Sequence, residues 1–328
     1  MKKKKHVRKL VFFAVILILV LMMLYSGLQI LESTVLHSGQ GTENKFVSKT
    51  ITRDGVDYFP RQDITTVLVM GIDRYGPVED SGFYTNIGAA DMNMVLIFDE
   101  VNEVCTILHL NRDTMLEMPV LGIGGKQAGT FYGQLALAHT YGTGLSDSCV
   151  NTREAVSDFL YGIEIDYYVA MHMDAISILN DAAGGVTVNV TEDFSQVDPA
   201  IGMGRVTLMG EQAINFVRTR KDVGDQLNLS RIERQQEYLD GFVAAFRAKQ
   251  ETETEFIITA YEQVQPYLVT DCSANAISGM VDRFSDFRIG EVVTPEGEKV
   301  LGEEYYEFYP DEEKLDELIL RIFYAPKK

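Results

Sequence analysis

The chain has 328 residues, 46% of them hydrophobic, with 27 Gly and 8 Pro, and a formal charge of −19. That composition excludes a disordered or fibrous protein and suits one large domain or two small ones. Lys2–Lys5, Arg8 and Lys9 lead the chain, so the rest sets 23 basic against 48 acidic residues; a body of that sign disfavours nucleic acid, whose binding needs a basic surface.

Residues 10–31 are almost wholly apolar, 22 residues in which Leu10–Tyr25 is unbroken. About 20 helical residues cross a bilayer core, so the segment is long enough to span. Residues 1–9 then form a cytoplasmic basic tail and the remainder lies outside. A cleaved signal peptide is the competing reading. The run exceeds the usual ~7–15 residue signal core and no A-x-A-like site follows, which favours an anchor. Residues 32–60 are polar, lack a sustained period and read as an extracellular stalk.

Apolar, β-branched runs predict strands at Ile64–Met70, Met94–Phe98 and Val104–Leu110. A helix is expected over Thr152–Tyr161, with Asn151 and Glu154 as a capping box. A strand follows at Ile165–Met171, then a helix at Ala175–Ala183 stopped by Gly184 and Gly185, then an alternating strand at Val186–Val190. Helices are expected at Glu211–Val217, Leu229–Lys249, Asn275–Phe284 and Asp311–Phe323. Interleaved strands and helices argue for an α/β sheet covered on both faces.

Cys105, Cys149 and Cys272 have no metal-ligand spacing. Cys105 reads as a buried strand thiol, and a Cys149–Cys272 disulfide suits an extracellular setting without sequence showing their separation. No GxxxxGK[ST], HExxH or GxSxG occurs, and Gly122–Lys126 reads as a turn. What stands out is acid and arginine at strand ends. Asp73 follows the first strand, Asp91 precedes the second, and Asn111, Arg112 and Asp113 close the third. Ligands of α/β sheets gather beyond the carboxyl ends of strands. A second basic cluster comprises Arg218, Arg220, Lys221, Arg231 and Arg234, accompanied by Asn228 and Gln235. Guanidinium forks grip phosphate oxygens, and paired aspartates suit Mg²⁺ bridging them. Ordinary surface ion pairs, worth ~0–1 kcal/mol each, are the plainer reading of any single arginine.

The segments VLVMGID (67–73), ADMNMVLIFD (90–99), LHLNRDTMLEMP (108–119), DAAGGVTVNV (181–190), LMGEQAINFVRTR (208–220) and NLSRIERQQEYL (228–239) occur in an order that resembles the LytR-CpsA-Psr family of cell-wall ligases. The resemblance implies a central mixed sheet flanked by helices over residues 61–248, after a single N-terminal transmembrane helix. Residues 249–328 are expected as a helical extension packed on the same domain. It implies transfer of a glycopolymer or sugar phosphate from a polyprenyl-pyrophosphate carrier to a peptidoglycan hydroxyl, in the envelope of a Gram-positive-type bacterium.

By motif position, Asp73 and Asp91 would hold Mg²⁺ (or Mn²⁺). Arg112, Arg218, Arg220 and Arg231 would bind the pyrophosphate with Asn228 and Gln235. Asp113 would orient Arg112, and Arg112, Arg220 and Asp91 would carry the chemistry. The chain departs from the family pattern at Ala89, where an arginine is usual, at Asn111, where a proline is usual, and in a longer loop at 75–88. Two other functions stay open on sequence: hydrolysis of the lipid pyrophosphate, and a non-catalytic isoprenoid-phosphate sensor.

Overall fold

A computed structural model describes residues 50–327, except 54, 123, 220–222, 224–227, 254–255, 273–275, 277–278, 281–282 and 285–286. The side chains at 228–233, 235–236, 239, 243 and 257 are also outside the described set. The expected anchor and most of the expected stalk therefore lie outside the described residues. Among the described residues no helix is long and apolar enough to cross a membrane.

The core is a six-stranded sheet. Its strands are β3 (Ile64–Ile72), β4 (Ala90–Asp99), β5 (Val104–Leu110), β8 (Tyr167–His172), β11 (Leu268–Thr270) and β12 (Arg288–Val293), in the order β11-β8-β3-β4-β5-β12. β3 pairs with β8 and β5 with β12 in parallel, while β4 runs antiparallel to both of its neighbours. The sheet is mixed, as expected. Its central strands are nearly continuous apolar runs because both faces are covered.

Alternation along those strands feeds two cores. Val67, Val69, Met94, Leu96 and Phe98 face one side, against α2 (Asp174–Ala182), α3 (Glu211–Arg218), α4 (Asn228–Thr252) and α5 (Phe256–Val264). Leu68, Met70, Ile72, Val95 and Ile97 face the other, against α1 (Ser146–Phe159), a 3₁₀ turn at Leu135–Thr140 and α6 (Glu312–Phe323). A period of two sends successive side chains to opposite faces. Burying each such Leu or Ile contributes roughly 1.5–3 kcal/mol.

Several expectations are corrected. The end of the expected stalk is folded: β1 (Ile51–Arg53) and β2 (Val56–Pro60) form a hairpin that pairs with β15 (Tyr324–Pro326). Residues 249–328, expected as helical, keep helices at α5 and α6 but add strands, and β11 and β12 are the two edges of the central sheet. Of the helix expected over 275–284, the described residues Ala276, Gly279, Met280, Arg283 and Phe284 are helical.

Helix α1 starts six residues before the expected Thr152, and Asn151 caps nothing: it is buried in the helix, donating to the carbonyls of Pro119 and Ala138. The disulfide is absent. All three cysteines are free and buried, and Cys149 and Cys272 belong to the cores on opposite faces of the sheet, which keeps them apart. Sequence reading also passed over β6 (Met115–Leu121) and β7 (Gln127–Gln134), joined by the Gly122–Lys126 turn, and β10 (Gly204–Leu208), which pairs with β9 (Val186–Val190).

Candidate functional site

The carboxyl ends of β3, β5 and β8 and the amino end of β4 meet at one edge of the sheet, since Ile72 pairs with both Ala90 and His172 and Asn93 pairs with Leu110. Asp73, Asp91 and Arg112 are therefore neighbours in space although distant in sequence. The register slips between Gly71 and Ile72: Gly71 opposes Met92 and Ile72 opposes Ala90, so Asp91 is the extra residue of a β-bulge. Bulges re-aim a side chain at a sheet rim. The slip also moves Ala90 into the core of the opposite face from Met92. Asn93 is wholly buried and its amide donates to the Ala90 carbonyl at 2.9 Å, which holds the bulge.

Arg112 lies in the turn after β5. Its Nη1 is 2.6 Å from Asp91 Oδ2 and its Nε is 3.4 Å from Asp113 Oδ1. The turn itself is fixed: Asn111 Oδ1 accepts from the Asp113 amide, and the Arg112 carbonyl accepts from the Ala136 amide. Arg218 ends α3, where a cation suits the helix dipole. Its Nη2 is 3.5 Å from Asp73 Oδ1, and its Nη1 donates to Tyr75 Oη at 2.5 Å. Burial lifts the Asp91 carboxyl above its ordinary pKa against the lowering pull of Arg112, and the Asp73 carboxylate lifts it further.

Of the nine residues singled out by sequence, the structure brings Asp73, Asp91, Arg112, Asp113 and Arg218 to this edge. Arg220 and the side chains of Asn228, Arg231 and Gln235 lie outside the described residues; α4 begins at Asn228 and places 231 and 235 one turn apart. Arg234, counted by sequence within the basic cluster, has another job. It is buried, donates to the backbone carbonyls of Phe216 and Thr219, and pairs with Glu192. It braces the end of α3 that carries Arg218.

The loop 75–88 is braced at both ends. His172 Nδ1 meets the Gly76 carbonyl at 2.9 Å, and His139 Nδ1 meets the Gly88 carbonyl at 2.7 Å. Between them Asn86 donates to the carbonyls of His139 and Gly142. Gly88 is required by space, because a Cβ there would stand 2.9 Å from Ile72 Cγ2 and 3.0 Å from Arg74 Cγ. Sequence reading missed Tyr75 on this loop, and it missed Lys299 and Gln134, both of which reach Asp113. Each is a lone polar residue with no motif around it, so no local signal could have found them.

Among the described residues no group of three His, Cys, Asp or Glu side chains assembles as a metal cage. Two carboxylates close enough for Asp73 to raise Asp91 do fit Mg²⁺, which commonly takes one or two carboxylates and completes its shell with phosphate oxygens and water.

A sequence profile described as the LytR_cpsA_psr family matches residues 30–321. A Bacillus subtilis relative named polyisoprenyl-teichoic acid–peptidoglycan teichoic acid transferase TagU is 26% identical over 197 residues, 60% of this chain and 57% of that protein. An Enterococcus faecalis relative of the same name is 30% identical over 180 residues, 54% of this chain and 52% of that one. The chain thus spans little more than half the length of these two relatives. Among solved structures, protein gbs0355 of Streptococcus agalactiae superposes with a TM-score of 0.59 at 19% identity, covering 79% of this chain and 86% of that one. TagT bound to LI-WTA superposes at 0.53 and 23% identity, covering 80% and 90%. At these identities the superpositions show a shared fold.

Proposed function

The chain belongs to the LytR_cpsA_psr family, and we propose that it transfers a glycopolymer or sugar phosphate from a polyprenyl-pyrophosphate carrier to a peptidoglycan hydroxyl. The observation that carries this reading is the meeting of two carboxylates with two arginines, from β3, β4, the turn after β5 and α3, at one sheet edge. The shared transferase name of both relatives supports it.

In the proposed step the acceptor oxygen bonds to the phosphorus that bears the sugar. The bond from that phosphorus to the bridging oxygen breaks, and polyprenyl phosphate leaves with the electron pair. Such transfers need charge neutralisation and alignment rather than a covalent enzyme intermediate. Arg112 and Arg218 supply fixed positive charge beside the bridging oxygen, and the sequence adds Arg220, Arg231, Asn228 and Gln235 to the pyrophosphate site. Asp113 orients Arg112. Asp73 and Asp91 would hold Mg²⁺ (or Mn²⁺), which when bound screens the phosphate charge. Asp91, which pairs with Arg112 at this edge, is the carboxylate we assign to receive the acceptor proton. Residues 10–31 would anchor the protein in the cell membrane with its body on the outer side, next to both substrates.

The test incubates the full chain in detergent with a lipid-pyrophosphate-linked sugar, peptidoglycan oligomers and Mg²⁺. Covalent sugar phosphate on the oligomer is expected, reduced at least about 10²-fold in Arg112→Ala and in Arg220→Ala and lost on chelation of the metal. Released free sugar phosphate would replace ligation by hydrolysis. Binding without turnover would make the protein a sensor.

A further inference from the structure

The C-terminal hairpin of β13 (Gly297–Leu301) and β14 (Tyr306–Pro310) reaches back to the site turn. The Phe308 amide donates to the Asp113 carbonyl at 2.8 Å, and Thr114 bridges Phe308 in parallel. From this hairpin Lys299 brings its Nζ to 3.2 Å from Asp113 Oδ2, while Arg112 Nε faces the other oxygen, Oδ1, at 3.4 Å. Gln134 links the two layers, donating to Asp113 Oδ1 at 3.3 Å and to the Tyr306 carbonyl at 2.7 Å. The Lys299 ammonium also lies 4.6 Å from the Tyr306 ring centroid. The Asp113 side chain is only 13% exposed and Lys299 only 21%, so water screens this pair poorly.

The charge arithmetic gives Lys299 a purpose. Arg112 is held between two carboxylates, Asp91 and Asp113, while Asp73 beyond them has Arg218 as its own partner. An incoming pyrophosphate must approach Arg112 through that negative field. A second cation on Asp113 cancels one carboxylate and frees Arg112 from dividing its guanidinium between the two acids. We propose that Lys299 is a positioning residue for Arg112, which neutralises Asp113 and so keeps the Arg112 guanidinium directed at Asp91 and attractive to a pyrophosphate. This inference rests on the pyrophosphate reading of the site given above.

The test measures binding of inorganic pyrophosphate to the full chain by calorimetry, with turnover of the lipid-linked substrate measured in parallel. Lys299→Met keeps the aliphatic stem against Tyr306 and removes the charge. It is expected to weaken pyrophosphate binding about tenfold, and to raise KM more than it lowers kcat, with the thermal midpoint held. Lys299→Arg restores binding. Adding Asp113→Asn to Lys299→Met recovers part of the loss, because the uncancelled carboxylate is gone, and stays short of the parent because Asp113 no longer orients Arg112. Unchanged affinity in Lys299→Met, or a double variant no better than the single, overturns the proposal while leaving the site reading intact if Arg112→Ala still abolishes binding. Failure of the unmodified chain to bind pyrophosphate overturns both.

Discussion

Arg112 and Arg234, taken from the two basic groups of the sequence, have opposite work. Arg112 stands 43% exposed among acids at a sheet edge, whereas Arg234 is 5% exposed with its guanidinium spent on two backbone carbonyls and Glu192. Removing one partner of a buried ion pair leaves the other charge and its acceptors unsatisfied, which costs about 3–5 kcal/mol. Arg234→Ala is therefore expected to lower unfolding stability by that amount in urea titration, and activity with it. Arg112→Ala should leave the unfolding free energy from urea titration within ~0.5 kcal/mol of the parent and still eliminate turnover. Loss of stability in Arg112→Ala with full stability in Arg234→Ala would reverse the two assignments. In the sequence motif position singles out Arg112 and leaves Arg234 without a role, and packing supplies the one Arg234 has.

At the level of elements, the loop 75–88 is tied down by two buried histidines. Burial lowers His139 to about 4 from an ordinary 6.5, and His172 is lowered for the same reason. Between those values the unfolded chain binds the proton that folded His139 refuses, so stability rises with pH across the window and is lost as pH falls from about 6.5 towards 4. The loss from His139 alone is on the order of 3 kcal/mol. From pH 6.5 down to 5 most carboxylates stay ionised, so chemical denaturation there isolates the histidine effect. His139→Asn, which keeps an N–H to offer the Gly88 carbonyl, should lessen the slope, and His109, lowered to about 4 by burial as well, and His172 supply what remains. An unchanged slope would remove His139 as a source.

Strands with continuous apolar runs, β3 and β5, are placed by their sequence nearly to the residue because both faces of each are buried. β7 (QAGTFYGQ) is exposed along most of its length, so no alternation betrays it; it exists because β6 pairs with it. Helix α1 begins earlier than its periodicity suggests because Ser148, Cys149, Asn151 and Thr152, not an apolar stripe, form its buried face.

Over the whole molecule the ends of the described chain close on each other. β15 pairs with β2, and α6 buries Leu315, Ile319, Ile322 and Phe323 in the core that also holds Leu68 and Met70 of β3. Helix α6 is capped by Asp311, whose side chain accepts from the Lys314 amide at 3.1 Å. The C-terminal part is thus a wall of the main core. Ile319→Ala, at 1% exposure, should cost about 2–5 kcal/mol through lost burial and the cavity left behind. A chain ending at residue 294 should give no cooperative unfolding transition; a stable truncated domain would restore the view of this region as an accessory.

The order of motifs determined the family, the α/β class and the five acids and arginines now found together at the sheet edge, because those features are written in local runs and spacings. Apolar continuity marks a buried strand wherever it pairs, and an aspartate or arginine at its end inherits the sheet's edge. Tertiary structure decided the rest. The slip that makes Asp91 a bulge depends on the partner strand, the fate of Arg234 depends on which carbonyls surround it, and Lys299 reaches Asp113 from 186 positions away along the chain. Such pairings are set by which surfaces come to face each other once two cores form on one sheet, and no stretch of sequence carries them alone.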